Sequence, residues 1–244
     1  MGHTLAEITQ RLPDHESTAT PRAETLSTSV GEFDLQEYRL RVGGREWSIL
    51  HTDALITWVD EQVFLGEQRD RIPYGAALWP SSIALAHEIA ERADEVRGRR
   101  ILELGAGTGL PGIVADSFGA RVTQTDKHEV ALHVCKRNGE RNRVVSIELR
   151  PADWAAWGDT TRYDWIIGAD ILYAEGMHEP LRLIFERNLS SGGRLLIADP
   201  FRQRSFQLLE SLEAAGWRVG MSQWTIGEGE FARRIGVFEL VPPR

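Results

Sequence analysis

Apolar and polar positions change period several times along this chain, and each change predicts an element. "WPSSIALAHEIAERA" carries Ile83, Ala86, Ile89, Ala90 and Ala93 at helical spacing, with Pro80 suited to a first turn. From there strands and helices alternate. "RRILELG" predicts a strand, "LPGIVADSF" a helix, "ARVTQTD" a strand and "HEVALHVCKRN" a helix. "VVSIEL" and "YDWIIGAD" read as strands, "EPLRLIFERNL" as a helix, "GGRLLIAD" as a strand and "RSFQLLESLEAAG" as a helix. "WRVGMSQWT" and "ARRIGVFEL" follow as two strands around a loop with Gly227 and Gly229. Near-continuous apolar strands between amphipathic helices mean a parallel sheet covered on both faces, and the final, closely connected pair has to be antiparallel. The expected fold is α/β and Rossmann-like: a doubly wound, seven-stranded, mostly parallel sheet with an antiparallel C-terminal strand.

Upstream the pattern weakens. "EYRLRVGGREWSIL" alternates apolar and charged residues around Gly43-Gly44, which predicts an N-terminal β-hairpin extension. Residues 1–30 lack sustained periodicity and read as a tail, with a short helix at Leu5–Leu12. Thr52 to Arg71 has a mixed pattern that fits a short helix or an irregular segment. The expected division is a tail at 1–30, a hairpin and connecting segment at 31–71, and the α/β domain at 72–244.

Composition narrows the partners. At 244 residues, 42% hydrophobic and 26% charged, the chain has the make-up of a soluble domain. Its apolar runs fall short of the ~20 residues a membrane helix needs. The single cysteine, Cys135, leaves no internal disulfide, and no signal-like segment opens the chain, so a cytoplasmic location is expected. The net charge of −8, with arginines interleaved among acids, argues against nucleic acid as a partner. The basic stretch "KRNGERNR", Lys136–Arg143, reads as a solvated helix end. The seven histidines show no metal-ligand spacing, so no metal is expected.

The chemistry concentrates at "ELGAGTG". Gly105, Gly107 and Gly109 follow one strand and precede a helix, the context of a cofactor loop. Glycine permits a sharp turn and a close approach of ligand to backbone. The spacing is G-x-G-x-G, not the G-x-G-x-x-G of a dinucleotide loop, and the acidic Glu103 suits an ammonium better than a pyrophosphate. Asp126 closes the second strand, where a carboxylate accepts ribose hydroxyls. An ammonium at Glu103 and a ribose at Asp126 describe S-adenosylmethionine. A glycine turn without a ligand, with Asp126 capping a helix, is the plainer alternative.

"ILELGAGTGLPGIVA" resembles motif I of the class I, seven-β-strand methyltransferases. "LWPSSIALA" and "GADILY" narrow the resemblance, from about Ile72 onward, to one group. It contains the lysine methyltransferases of calmodulin, elongation factors, the valosin-containing ATPase and the electron-transfer flavoprotein, and has also been called nicotinamide-methylase-like. The resemblance implies that Gly105, Ala106, Gly107 and Gly109 surround the methionine part of the cofactor. It puts Glu103 at the amino group, Asp126 at the ribose, and Asp153 and Trp154 at the adenine, and counts Lys127 among the cofactor-binding residues. Trp79 and Ala169 would flank the pocket. Ordinary core or lid packing is the plain alternative for Trp154, and a helix staple accounts equally for Trp79.

The acceptor is expected beside "GADILY", with Asp170 and Tyr173 as the catalytic pair. Amine methylation needs a neutral nitrogen lone pair held roughly 3 Å behind the methyl group. A lysine, with an ordinary pKa of about 10.4, must first lose its proton. Asp170 could orient the amine, and Tyr173 could hold its cationic forms by cation–π contact. A loop cap and a core tyrosine are the plain alternatives. Asp199, Phe201 and Arg202 are expected to help form the acceptor mouth. The Asn-Pro-Pro-aromatic signature of enzymes acting on planar nitrogens is replaced here by "ADILY". Three readings follow: a protein-lysine N-methyltransferase first, a small-molecule N-methyltransferase second, and a non-catalytic cofactor-binding scaffold third.

Overall fold

A computed structural model describes residues 10–11, 24–28, 31–52, 74–229 and 232–243. Valine, isoleucine and leucine dominate the central strands, because a strand covered on both faces can carry apolar side chains at every position. Strands β1 (Gln10–Arg11), β2 (Glu24–Thr28), β3 (Gly31–Val42) and β4 (Arg45–Thr52) precede helix α1 (Pro80–Glu91). Then come β5 (Arg100–Leu104), α2 (Leu110–Ser117), β6 (Arg121–Asp126), α3 (Glu129–Arg141) and β7 (Glu148–Pro151). The chain continues through β8 (Tyr163–Ala169), α4 (His178–Asn188), β9 (Leu189–Asp199) and α5 (Gln203–Ala214) to β10 (Arg218–Ile226) and β11 (Arg233–Val241).

The main sheet has the order β1-β10-β11-β9-β8-β5-β6-β7. Strand β11 runs antiparallel to both of its neighbours, and the other pairings are parallel. The expected seven strands are present, and the two-residue β1 adds an eighth at the edge. The strand order turns back between β6 and β8, with β5 in the middle, which opens a crevice at the carboxyl ends of β5 and β8. Leu85, Ile89, Ile113 and Val114 of α1 and α2 bury one sheet face. Leu181, Ile184, Phe185, Leu208 and Leu212 of α4 and α5 bury the other. Among the described residues, no helix is long and apolar enough to cross a membrane.

Three details depart from the expectations. "VVSIEL" does not begin a strand at Val144: β7 starts at Glu148. Val144 instead closes the end of α3, its amide donating to the Gly139 carbonyl at 2.8 Å, and Arg143 turns the chain at φ 60°. The N-terminal hairpin is a three-stranded sheet, because Glu24–Thr28, read as part of the tail, pairs with β3. Glu24 is held there by Arg141, at 2.8 Å, a partner far away in sequence. Of the helix expected at Leu5–Leu12, Gln10–Arg11 is extended and the rest lies outside the described residues, as does nearly all of the segment from 52 to 71. Gly43 and Gly44 take φ 60° and 74°, the two left-handed positions of a tight hairpin turn.

Candidate active site

Three left-handed glycines turn the chain from β5 into α2: Gly105 at φ 63°, Gly107 at 57° and Gly109 at 79°. The turn is also crowded. A Cβ on Gly105 would lie 3.1 Å from Ile171 Cγ2 and 3.2 Å from Trp154 Cζ2; one on Gly107 would lie 3.1 Å from the Gly75 carbonyl. Conformation and space therefore demand glycine together.

The loop is fastened group by group. The Gly107 amide donates to Asp126 Oδ2 at 3.1 Å, and the Ala106 amide to the Thr125 carbonyl at 3.0 Å. The carbonyls of Gly107, Thr108 and Gly109 accept from Cys135 Sγ (3.1 Å), Asn138 Nδ2 (2.9 Å) and Gln124 Nε2 (2.8 Å). Cys135 is buried, and that burial, followed by the Glu103 and Asp126 charges, pushes its thiol pKa up.

Glu103 lies beneath this loop at 2% exposure. Its Oε2 accepts from the Gly112 amide at 3.0 Å and from Gln124 Nε2 at 2.7 Å. With this oxygen Glu103, expected at the amino group of the cofactor, holds the first turn of α2 and so braces the loop from beneath. Burial pushes its pKa up to about 8, and the two hydrogen bonds only partly oppose that. Asp126, at the end of β6, accepts from the His128 amide at 2.9 Å as well as from Gly107. Burial raises its pKa too, against the pull of those amides.

Asp153 and Trp154 follow β7. Asp153 Oδ1 accepts from the Ala155 amide at 2.9 Å and caps the short turn Trp154–Ala156; its other oxygen lies 4.0 Å from Lys127 Nζ. Trp154 is partly buried, with its six-membered ring against the Gly105 turn. Trp79 stands half-buried at the start of α1, and Ala169 ends β8. The structure thus brings the expected cofactor residues to one edge of the sheet.

Asp170 adopts φ 61°, in the left-handed region, and its amide donates to the Ala198 carbonyl at 2.8 Å. Its carboxylate is already engaged. Ser81 Oγ, from the first turn of α1, donates to Oδ2 at 3.1 Å, and Arg202 Nη1 pairs with Oδ1. Glu88 pins α1 in place by accepting from Ser222 Oγ (2.6 Å) and Trp224 Nε1 (2.9 Å). Tyr173 is 40% exposed and stands close by in the chain at the surface. The expected mouth is corrected at Asp199. Asp199 is fully buried, accepting from the Arg202 amide at 2.7 Å and Ser205 Oγ at 2.6 Å. Phe201 stacks on Phe206 with centroids 6.4 Å apart and meets Phe238 edge-on.

The sequence reading missed Ser81, Gln124 and Asn138. The signal for Gln124 was a polar residue in an otherwise core-facing strand. Asn138 was absorbed into the basic stretch 136–143, read as solvated. Within it Asn138 and Asn142 are buried, and Arg141 pairs with Glu37 at 3.1 Å. Two clefts, of about 460 and 690 Å³, lie toward the opposite ends of the strands, by Arg100 and Tyr163 and by Leu189 and Trp217. Neither includes a residue of the glycine loop, and their side chains show no converging chemistry.

A family described as lysine methyltransferase matches residues 60–212. Protein N-lysine methyltransferase METTL21A of Danio rerio is 34% identical over 193 residues, covering 76% of this chain and 77% of that protein. Its Mus musculus counterpart is 31% identical over 168 residues, covering 66% and 77%. Histone-arginine methyltransferase METTL23 of Xenopus laevis is 31% identical over 196 residues, covering 75% and 76%. Among solved structures, a ribosomal protein L11 methylase from Lactobacillus delbrueckii subsp. bulgaricus aligns with a TM-score of 0.53 at 22% identity, over 67% of this chain and 79% of that one. The T. thermophilus 16S rRNA N2 G1207 methyltransferase in complex with AdoMet and guanosine aligns with a TM-score of 0.58 at 19% identity, over 86% and 51%. Those two likenesses establish the fold. The glycine loop, Asp126, Trp154 and the Asp170–Tyr173 segment all fall within the matched span, and the chain belongs to the lysine methyltransferase family.

Proposed function

We propose that this protein transfers the methyl group of S-adenosylmethionine to a lysine side chain of a protein substrate. One contact carries the reading: Ile171, the residue after Asp170, lies 3.1 Å from where a Gly105 side chain would begin. The cofactor loop and the acceptor segment share a wall, as a transfer between two bound molecules requires.

The residues fit the cofactor by their chemistry. Asp126 is an acceptor for ribose hydroxyls, and the Trp154 indole offers an adenine a stacking face. Asp153, capping its own turn with Oδ1, keeps Oδ2 for an exocyclic amine or for Lys127. Bound there, the cofactor would supply an electrophilic methyl group and leave as S-adenosylhomocysteine, while the protein's part is to bind and orient the acceptor and favour its neutral form, the amine's proton passing to solvent. Asp170 can hold the amine, but its charge is shared with Arg202. A guanidinium next to the acceptor disfavours a second cation and so favours the neutral, nucleophilic amine. Tyr173, exposed three residues after Asp170, offers an aromatic face to the cationic forms of the amine. The METTL21A relatives act on protein lysines by name, which supports a protein acceptor. An arginine acceptor is the second reading: the METTL23 relative is named for it, and Asp170 already binds a guanidinium. The buried single cysteine fits a reducing, cytoplasmic setting, which is part of the proposal.

The test is transfer of isotope-labelled methyl from S-adenosylmethionine into a cell lysate, with Asp170→Asn beside the wild type and the labelled residue identified by mass spectrometry. Label on protein lysine that the variant fails to place supports the proposal. Label on arginine moves the conclusion to the second reading, and label in small molecules alone overturns both.

A further inference from the structure

Helix α3 carries two asparagines one turn apart, and both are turned onto the free edge of β4. The Leu50 amide donates to Asn138 Oδ1 at 2.7 Å, and Asn138 Nδ2 donates back to the Leu50 carbonyl at 3.0 Å. One turn on, the Ser48 amide donates to Asn142 Oδ1 at 3.0 Å, and Asn142 Nδ2 donates to the Ser48 carbonyl at 2.8 Å. The spacing matches because four helical residues rise about 6 Å and two strand residues about 6.6 Å. Two side-chain amides thus do for β4 what a neighbouring strand would, and close an edge that would otherwise be open.

The two asparagines differ in one bond. The remaining N–H of Asn142 returns to its own helix, at the Asn138 carbonyl (2.8 Å). That of Asn138 goes to the Thr108 carbonyl (2.9 Å), between Gly107 and Gly109. Asn138 is fully buried and ties the N-terminal sheet and the glycine loop to one planar amide.

We propose that Asn138, held by β4, is a positioning residue for the methyl-donor loop, and that its bond to the Thr108 carbonyl sets cofactor affinity. The proposal rests on the cofactor reading above. An amide held from one side by β4 fixes where the Thr108 carbonyl lies, and with it the left-handed turn on either side. Preorganisation of this kind lowers the ordering cost of binding.

Asn142→Ala is the matched control, because it removes the same clamp on β4 without touching the loop. Each full-length variant is titrated with S-adenosylmethionine by calorimetry, well below its melting temperature. Amide exchange of residues 105–112 is measured without cofactor. Asn138→Ala is expected to bind about tenfold more weakly and to exchange its loop amides faster, while Asn142→Ala stays within about twofold of wild type on both. Equal effects of the two substitutions, or no effect of Asn138→Ala, overturn the proposal. Should the wild type itself not bind the cofactor, the cofactor reading fails, and the exchange measurement still decides whether Asn138 holds the loop.

Discussion

Asp170 and Arg202 form an ion pair beyond the carboxyl ends of β8 and β9, with Ser81 as a third partner from α1. Both side chains are largely buried, at 6% and 14% exposure. The pair joins three elements at the acceptor segment, so charge and geometry there are set together. Breaking a buried pair from one side costs about 3–5 kcal/mol, because it strands the other charge. Asp199, 3.6 Å from Arg202, should keep the cost of losing Asp170 near the lower end.

Asp170→Ala is therefore expected to lower both stability and methyl transfer; Asp170→Asn also strands the Arg202 charge, but keeps the shape and an acceptor for Ser81, so it should lose less stability while kcat falls by about a hundredfold. Thermal unfolding alongside methyl transfer separates the two. Arg202→Ala should move the activity optimum to higher pH, because the acceptor amine then loses the neighbouring cation that favours its neutral form. A pH–rate profile of kcat, which reports the ionisations of the enzyme–substrate complex, reads that shift directly, and an unmoved profile would remove Arg202 from the mechanism.

Gly112 lies in the first turn of α2, where helix propensity alone predicts a gain of about 1 kcal/mol for alanine. The structure predicts the reverse. A Cβ there would lie 2.3 Å from Glu103 Oε2 and 2.5 Å from Gln124 Nε2. Gly112→Ala should destabilise by about 2 kcal/mol in denaturant unfolding and weaken cofactor binding, because overpacking displaces the brace under the loop. A stabilised variant would show that the brace yields easily.

Glu103 gives stability a pH dependence of known sign. Folded, it keeps its proton up to about pH 8; exposed in the unfolded chain, it loses that proton near 4.5. Between those values the native state holds the extra proton, so the Glu103 contribution declines as pH rises from about 4.5 to about 8 and is level above. Glu103→Gln removes that slope. Urea unfolding of both proteins across this range should show the variant gaining on the wild type as pH rises, and parallel curves would contradict the assignment.

Glu37 acts in the opposite sense on the N-terminal sheet. Burial alone would raise its pKa, but the Ser48 hydroxyl, then Arg39 and Arg141, outweigh it and hold the value at about 2. Its stabilising contribution is present above about pH 4.5 and is lost as pH falls toward about 2. Glu37→Gln should flatten that loss. Amide exchange in β3 and β4 across this range measures it at the place concerned.

Much of the fold was legible from periodicity. The strands from β5 to β11, apart from the starts of β7 and β9, lie where the sequence pattern put them; in the central β5, β8 and β9, covered on both faces, the apolar signal is strongest. Two strands were missed, β1 and β2: "ETLST" carries a single apolar residue, and β2 is held by pairing with β3 and by the Glu24–Arg141 ion pair. Such partners are remote in sequence and leave no local pattern.

At the site, the sequence by itself determined the glycine turn, because only glycine takes three left-handed positions against such close neighbours, and it determined the carboxylates that end the strands. The tertiary structure decided what each group touches. It turned Glu103 inward as a brace, gave Asp170 to Arg202 and Ser81, and made Asn138, in a stretch that reads as solvated, the link between the glycine loop and the N-terminal sheet. A residue's type states which hydrogen bonds and charges it can offer. Only the packing of elements distant along the chain selects the partner that receives them, because burial penalises every polar group left without one.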